Sequence, residues 1–210
     1  ISEKMKEAWT EIPHVTQFDE ADATRLGELV KKYGPEYETK GTRLTVTALV
    51  IKAVIRVLKR HPVFNASLDE ARGEIVLKQY YHLGLAVDTE QGLIVPVIRD
   101  ADKKNLETLA KEIVVLAEKA KRRKVSLEDL EGGTFTISNQ GGIGGAHFTP
   151  IIRAPEAAIL GIGRARMKPV IREGKTEARF MMPLALSYDH RLIDGAEAAR
   201  FIRDLAAELE

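Results

Sequence analysis

The 210-residue sequence contains no cysteine. A disulfide framework, a thiolate zinc site and a cysteine nucleophile are therefore excluded. Long apolar runs are also missing, because Lys52 and Arg56 interrupt the most apolar stretch, whereas a membrane helix needs about 20 apolar residues. Residues 1–10 lack the apolar segment of a signal peptide. These absences favour a cytoplasmic protein with no membrane partner.

The chain also lacks an excess of charge of either sign. It carries 32 Lys and Arg against 31 Asp and Glu, a net charge of +1. Nucleic-acid binding requires a basic face, and an anionic membrane attracts a polybasic segment. Neither is present, so no nucleic-acid partner is expected. Apolar residues make up 44% of the chain, which is enough for a hydrophobic core.

Apolar residues at helical spacing predict three amphipathic helices. The clearest begins at Thr45 and ends at His61-Pro62, and it is apolar on most sides, which predicts burial. Asn105 is the predicted N-cap of the second, and the third begins at about Ala196. Further helical segments are expected over residues 2–9 and 21–32, the latter followed by a loop around residues 34–41.

Short apolar segments separated by glycine and proline predict a series of strands. They do not alternate regularly with helices, so the fold class is predicted as α+β, with helices packed on one large sheet. The predicted strands are residues 14–19, 64–68, 74–79, 82–87, 93–98, 134–138, 157–163, 169–172 and 180–187.

His190 stands at the end of the last predicted strand, followed by a tight turn and a helix. Imidazole titrates near neutral pH, so a histidine in this position is a candidate base for a thiol or hydroxyl proton. Asp194 directly precedes the helix, where a carboxylate caps free N–H groups. The pattern alone leaves open that His190 is structural and that Asp194 is only a cap.

Ser138 ends a strand and precedes a glycine-rich loop. Its hydroxyl could donate to a developing oxyanion, or simply belong to a turn. A dinucleotide fingerprint is excluded, because Gly142-x-Gly144 lacks the third glycine and Pro150 follows where a helix should begin. No metal site is predicted, since no cluster supplies a third ligand beside His190 and Asp194. The other four histidines have plain structural interpretations.

The run from His190 to Gly195 resembles the His-x-x-x-Asp-Gly signature of the dihydrolipoamide acyltransferases, the core components of 2-oxo acid dehydrogenase complexes. Stretches similar to this family occur along essentially the whole chain, at residues 13–16, 64–67, 85–98, 133–139 and 157–161. The resemblance implies a chloramphenicol acetyltransferase-like fold. It also implies that residues 1–210 form a single catalytic domain, with lipoyl and peripheral-subunit-binding domains upstream in the full protein.

The resemblance also implies a role for each candidate residue. His190 would take the proton from the attacking thiol, and Ser138 would stabilise the oxyanion from across a subunit boundary. Asp194 would hold the histidine loop through an ion pair. The residues expected to line the channel for CoA, the acyl carrier, are Thr45, Asp88, Ser138, Asn139 and Gly163. The lipoyl group would be carried on a separate domain, and no metal is required.

One position departs from the family pattern. Relatives often carry an arginine near position 30 that contacts the CoA phosphates, whereas this chain has Val30 followed by Lys31 and Lys32. A lysine can supply the charge, but it lacks the bidentate fork of arginine. The resemblance therefore leaves the identity of the phosphate-binding cation in this chain open.

The implied assembly is a homotrimer with active sites at its subunit interfaces, built into a cage of 24 or 60 subunits. Lipoyl domains, a peripheral decarboxylase and dihydrolipoamide dehydrogenase would be its partners. Residues 144–150 and 154–160 are most similar to the acetyl-transferring, pyruvate-type members, with succinyl or branched-chain transfer as alternatives. A structural scaffold and a stand-alone enzyme for hydroxylated acceptors are further alternatives. Chloramphenicol-type enzymes carry a second histidine where this chain has Asp189, which disfavours the stand-alone enzyme.

Overall fold

The structure is a computed structural model that describes residues 2–90 and 92–210. Within these residues the chain forms five α-helices, ten strands and three short 3₁₀ helices. The α-helices are α1 Ser2–Glu11, α2 Thr24–Thr39, α3 Val46–Arg60, α4 Leu106–Lys121 and α5 Gly195–Leu209. The strands are β1 His14–Asp22, β2 Ala66–Asp69, β3 Glu74–Leu77, β4 Leu83–Thr89, β5 Gly92–Ile94, β6 Val97–Ile98, β7 Phe135–Asn139, β8 Ala158–Ile162, β9 Arg166–Arg172 and β10 Lys175–Asp189.

Eight of these strands form one mixed sheet in the order β1-β10-β8-β7-β4-β5, with β6 also pairing β4 and β9 also pairing β10. The neighbours β4, β7 and β8 are parallel, and β10 runs antiparallel to β8 and to β1. Strands β2 and β3 form a separate hairpin. The predicted α+β class, with one large sheet and packed helices, is confirmed.

Predicted caps begin the three long amphipathic helices. The Thr45 hydroxyl accepts from the N–H of Ala48 at 3.3 Å, and the side-chain Oδ1 of Asn105 accepts from the N–H of Thr108 at 2.8 Å. Eight residues of α3 are buried, as its nearly continuous apolar surface predicts. None of the helices in the described residues combines the length and apolar character that a membrane crossing requires.

The loop predicted around residues 34–41 is wrong over most of its length, because α2 continues through Gly34 and Pro35 to Thr39. Proline removes one helical N–H and displaces the carbonyl four residues earlier. Here Pro35 and Lys31 are both exposed, so water can solvate that carbonyl and the helix continues. The strand predicted at residues 64–68 is partly wrong, since the 3₁₀ helix Pro62–Asn65 replaces its beginning.

The last strand is much longer than the predicted residues 180–187. Its first part pairs with β9 as far as Met181, and its second part pairs with β8 from Leu184 onward. Pro183 lies between the two stretches, where this edge of β10 changes partner. Because β1 pairs along the other edge from Met181 to Asp189, the strand continues through the proline.

The helices α3, α4 and α5 contribute most of their buried residues to one core cluster with the central strands. Within it the rings of Phe64 and Phe201 stack with centroids 4.2 Å apart, and Phe135 lies 6.1 Å from Phe201. All three rings are fully buried. A smaller cluster, made of Ala8, Ile12, Ile152 and Ile159, joins α1 to β8.

Replacing Phe201 with alanine is expected to cost about 3–5 kcal/mol of stability, because the vacated ring volume cannot be refilled. Chemical denaturation of the two proteins measures the difference. Ile171→Ala is the matched control, since Ile171 is 75% exposed and its loss should change stability by less than about 0.5 kcal/mol. Equal stability of Phe201→Ala and wild type would contradict the packing described.

Candidate active site

One end of the parallel strands gathers several candidate residues. Ser138 on β7 is paired with Ala86 on β4 and with Gly161 on β8. Asp88 and Gly163 each follow their paired residue by two positions, so they lie at the same carboxyl-terminal edge of the sheet. Ligands bind preferentially beyond the carboxyl ends of parallel strands. We call this region the Ser138 edge.

The N-terminus of α3 also reaches the Ser138 edge. Asn139 follows Ser138, and its side-chain N–H donates to the hydroxyl of Thr47 at 3.1 Å. Thr47 lies in the first turn of α3, which Thr45 caps. The five residues expected to bind CoA are thus gathered at one edge. A helix N-terminus there favours anionic groups, because it carries free N–H donors and a partial positive charge.

The glycine-rich loop after Ser138 is held close to the backbone beyond β8. The carboxamide oxygen of Asn139 accepts from the N–H of Gly141 at 2.9 Å, and the N–H of Arg164 donates to the carbonyl of Gly145 at 2.7 Å. A Cβ on Gly163 would lie 1.9 Å from the carbonyl oxygen of Ala146. Only glycine at position 163 permits this close approach.

Arg164 is a cation at the Ser138 edge that the motifs did not indicate. Its Nε donates to the carbonyl of Gly141 at 3.3 Å, and its guanidinium passes over Gly144. The side chain is exposed beside the glycine-rich loop. Lys31 and Lys32 are likewise exposed, on α2. Arg164 is therefore a further candidate for the phosphate-binding cation that Val30 does not supply.

His190 lies at the other edge of the sheet. Strand β10 runs antiparallel to β8, with Leu184 opposite Ile162 and Tyr188 opposite Ala158. The end of β10 therefore emerges where β8 begins. There the N–H of His190 donates to the carbonyl of Pro13 at 3.1 Å, and the side chain is exposed. We call this region the His190 edge.

A partly buried ion pair between Asp189 and Arg191 fixes the backbone on both sides of His190. The Asp189 carboxylate is only 2% exposed and accepts from the N–H of Arg191 at 3.0 Å, from its Nε at 2.9 Å and from its Nη2 at 2.7 Å. These hydrogen bonds raise the pKa of Arg191. Arg191 also donates to Glu70 at 2.5 Å. Sequence reasoning assigned this pair no role.

Asp194 caps α5. Its carboxylate accepts from the N–H of Glu197 at 2.8 Å, and it forms no ion pair with any residue that the structure describes in this chain. The ion pair that the resemblance implies is thus not formed within one chain, where capping fixes the loop instead. Burial, and then the negative charge of Asp194, raise the pKa of Tyr188, whose ring lies 6.0 Å from that of His190.

A single chain does not bring Ser138 and His190 together. Ser138 is level with Gly161 on β8, which is opposite Ala185 on β10. His190 follows Ala185 by five residues, so it lies roughly 17 Å further along the strand direction at about 3.3 Å per residue. A hydrogen bond to one common substrate atom cannot span that distance. A site that uses both side chains needs two copies of the chain.

Three of the remaining histidines are tied into the structure. His14 Nε2 accepts from the N–H of Ile152 at 2.9 Å, and His82 Nδ1 accepts from the N–H of Asp100 at 2.9 Å. His61 Nε2 lies 2.9 Å from a carboxylate oxygen of Asp204. Across residues 2–90 and 92–210, no group of three or more histidine and carboxylate side chains is arranged to hold a metal ion.

Gly163→Ala is expected to lower stability by about 1–3 kcal/mol, as overpacking does elsewhere, because the new methyl group must displace the carbonyl of Ala146. Thermal unfolding measures the loss. Gly142→Ala is the control in the same loop, because a Cβ there meets no atom within 4 Å. If both variants unfolded with wild type, the close approach at Gly163 would be refuted.

The chain is similar throughout its length to proteins of known activity. A dihydrolipoyllysine-residue acetyltransferase component of the pyruvate dehydrogenase complex, from Buchnera aphidicola subsp. Acyrthosiphon pisum (strain APS), is 46% identical over 205 residues, which are 96% of this chain and 52% of that protein. The chain thus spans about half the length of this relative.

Solved structures agree with this similarity. The dihydrolipoamide acetyltransferase of Azotobacter vinelandii and the cubic core of a pyruvate dehydrogenase multienzyme complex are each 46% identical to this chain, with a TM-score of 0.96, covering 99% of this chain and 86% of theirs. Chloramphenicol acetyltransferase, at 17% identity, has a TM-score of 0.61 over 99% of this chain and 95% of its own, and shares the fold.

The family model for the catalytic domain of 2-oxoacid dehydrogenase acyltransferases matches residues 1–210. With the solved structures, this match confirms the chloramphenicol acetyltransferase-like fold. The chain therefore belongs to the family of 2-oxoacid dehydrogenase acyltransferase catalytic domains.

Proposed function

We propose that this chain transfers an acetyl group between the thiol of dihydrolipoamide and CoA at sites formed between two copies of itself. The observation that carries the proposal is the separation of Ser138 and His190 onto opposite edges of one sheet. The two residue types suit thioester exchange, and their separation means that a site using both would be shared between two subunits.

The similar proteins support the proposed acetyl transfer. The Azotobacter vinelandii enzyme is a dihydrolipoamide acetyltransferase in which a serine, a histidine and an asparagine were investigated for their roles in catalysis. Ser138, His190 and Asp194 stand at the same spacing along this chain. The third residue is an aspartate here and an asparagine there, so the role proposed for position 194 must be one that both side chains can perform.

His190 is the proposed general base. Its imidazole takes the proton from the attacking thiol, and the resulting thiolate forms a bond to the thioester carbonyl carbon. When the tetrahedral intermediate collapses, the bond to the original sulfur breaks and that thiolate takes the proton back from His190. Exchange between two thiols is nearly isoenergetic, so the same residue serves both directions.

Ser138 is the proposed oxyanion donor. It is 7% exposed, at the end of a buried strand, so its hydroxyl is held where little water competes. A hydroxyl prepositioned in this way stabilises the negative charge that develops on the carbonyl oxygen. The partner copy would supply His190, so the acyl group would be held between the Ser138 edge of one chain and the His190 edge of the next.

CoA would bind as a substrate along the Ser138 edge. Thr45, Asp88, Asn139 and Gly163 would line its path, and the N-terminus of α3 would favour its phosphates. The basic side chains Arg164, Lys31 and Lys32 are candidates for contacting those phosphates. The lipoyl group would arrive on a separate domain, and no metal takes part.

Residues 1–210 are proposed to act as one catalytic unit of a larger assembly. A site shared between neighbouring copies favours a closed ring, and the family resemblance makes that ring a trimer. The cubic core formed by a 46% identical relative supports a 24-subunit cage over a 60-subunit one. Lipoyl domains, a decarboxylase and dihydrolipoamide dehydrogenase would be its partners.

Removing the base or the oxyanion donor should reduce acetyl transfer from acetyl-CoA to dihydrolipoamide. His190→Ala is expected to lose about 10²–10⁴ in rate, and Ser138→Ala about 10²–10³. Succinyl-CoA serves as a comparison donor and should be used poorly. A wild-type protein that assembles but transfers no acyl group, or a His190→Ala variant as fast as wild type, would refute the proposed activity.

Mixing the two inactive variants tests the shared site. In oligomers reassembled from equal amounts of His190→Ala and Ser138→Ala chains, about a quarter of the interfaces combine an intact His190 with an intact Ser138. Transfer should therefore recover to about a quarter of the wild-type rate. Oligomers of each variant alone, treated identically, are the control. No recovery in oligomers that have demonstrably mixed would mean that both groups act within one chain.

Substitutions of Asp194 separate capping from charge. Asp194→Ala should lower stability by about 1 kcal/mol, whereas Asp194→Asn should keep it, because asparagine caps a helix as well as aspartate. Transfer by Asp194→Asn should remain close to wild type. If Asp194→Asn were as slow as His190→Ala, the negative charge rather than the cap would be the required feature.

A further inference from the structure

A cavity of about 300 Å³ lies outside the proposed transfer site. Its walls come from the segment after β3, with Lys78 and Tyr80, and from the turns before β7 and β8, with Gly133, Arg153 and Glu156. Both turns precede parallel strands, so the cavity is at the end of the sheet away from the Ser138 edge. We call it the Glu156 cavity.

Glu156 is an unusual buried carboxyl group. The residue is 3% exposed, and its Oε2 has no hydrogen-bond partner. Burial raises the pKa of Glu156 to about 7, although Thr136, Arg153 and Lys78 act in the opposite direction. A Cβ at position 133 would lie 2.7 Å from its Oε1, so Gly133 leaves the space that the carboxyl group needs.

Two cationic side chains, Lys78 and Arg153, line the same cavity, and neither forms an ion pair with Glu156. Arg153 donates through Nη1 to the carbonyl of Val95 at 3.3 Å and through Nη2 to the carbonyl of Leu130, which holds its guanidinium in the wall. Lys78 is half-buried, and burial lowers its pKa. Within the described residues its ammonium group has no hydrogen-bond partner.

A buried polar group without a hydrogen-bond partner is costly, because such groups are normally bonded to other protein groups, to ordered water or to a bound ion. A ligand in this cavity would accept a hydrogen bond from Lys78 and would complement the positive charge of Lys78 and Arg153 in the wall. Glu156 also lines the cavity, beside these two cations. A neutral carboxyl group can donate one hydrogen bond to an anion, and the negative charge of that anion offsets part of the positive charge of Lys78 and Arg153.

We propose that the Glu156 cavity binds a small carboxylate, which Lys78 and Arg153 attract and to which the protonated Glu156 carboxyl donates a hydrogen bond. The site uses none of the groups assigned to acyl transfer, so it stands independently of the proposed activity. It adjoins Ala157, whose carbonyl accepts from the N–H of Asp189 at 2.9 Å. An occupant would therefore stabilise the segment that supports the His190 loop.

The binding must weaken as pH rises. An anion beside Glu156 favours its protonated form, so by linkage the anion binds better when Glu156 is already protonated. The charged groups that face Glu156 are Arg153 from its own turn and Lys78 from the segment after β3, and Tyr80 also lines the cavity. Loss of the Lys78 proton at higher pH acts in the same direction.

Calorimetric titration of the assembled protein with acetate tests the proposal, at pH 6 and pH 8 and at constant ionic strength. Wild type should bind about tenfold more tightly at pH 6. Glu156→Gln should lose most of this difference, because its amide N–H donates at both pH values. Lys78→Met should weaken binding at least about tenfold at pH 6. Lys111→Met, on the exposed face of α4, is the control and should bind as wild type.

Each contrary result overturns the proposal. The absence of saturable acetate binding to wild type at pH 6 would be one such result. Acetate binding to Lys78→Met as tight as to wild type would be another. A pH dependence that survived in Glu156→Gln would remove the role of its proton. Inorganic phosphate binding more tightly than acetate would refute the carboxylate assignment. Circular dichroism and particle size show that each variant is folded and assembled, and acetyl transfer is assayed separately.

Discussion

The antiparallel pairing of β10 with β8 decides where the chemistry can occur. Because β4, β7 and β8 are parallel, their carboxyl ends bring Ser138, Asn139 and Gly163 to one edge. The reversed direction of β10 carries His190 to the other edge. No change of side-chain rotamer can close a gap of several strand residues. A site that used both residues would therefore need a second copy of the chain.

Rigid backbone supports each half of the proposed site. At the Ser138 edge, the glycine-rich loop lies against Gly163, and Asn139 ties β7 to α3. At the His190 edge, the Asp189–Arg191 pair and the Asp194 cap hold the turn from both sides. Reacting groups that are positioned before the substrate arrives lose little entropy when the reaction begins.

Two buried carboxyl groups, those of Asp189 and Glu156, differ in the hydrogen-bond donors that surround them. Asp189 is surrounded by donors from Arg191, which repay the desolvation of both groups. Glu156 is equally buried but keeps one oxygen without a partner, and burial dominates its pKa. The first holds the chain in place, whereas the second is the group that we propose donates to a bound carboxylate.

The sequence by itself determined the helices with strong periodicity and clear caps, at Thr45, Asn105 and Asp194, because these signals lie within a few residues. It also made His190 and Ser138 candidates, because their residue types suit a base and an oxyanion donor. Only the tertiary structure decided that α2 passes through Pro35, that β10 changes partners at Pro183 and that Arg164 and Glu156 face a loop and a cavity. Solvation, strand pairing and burial depend on residues distant along the chain, so no local pattern can specify them.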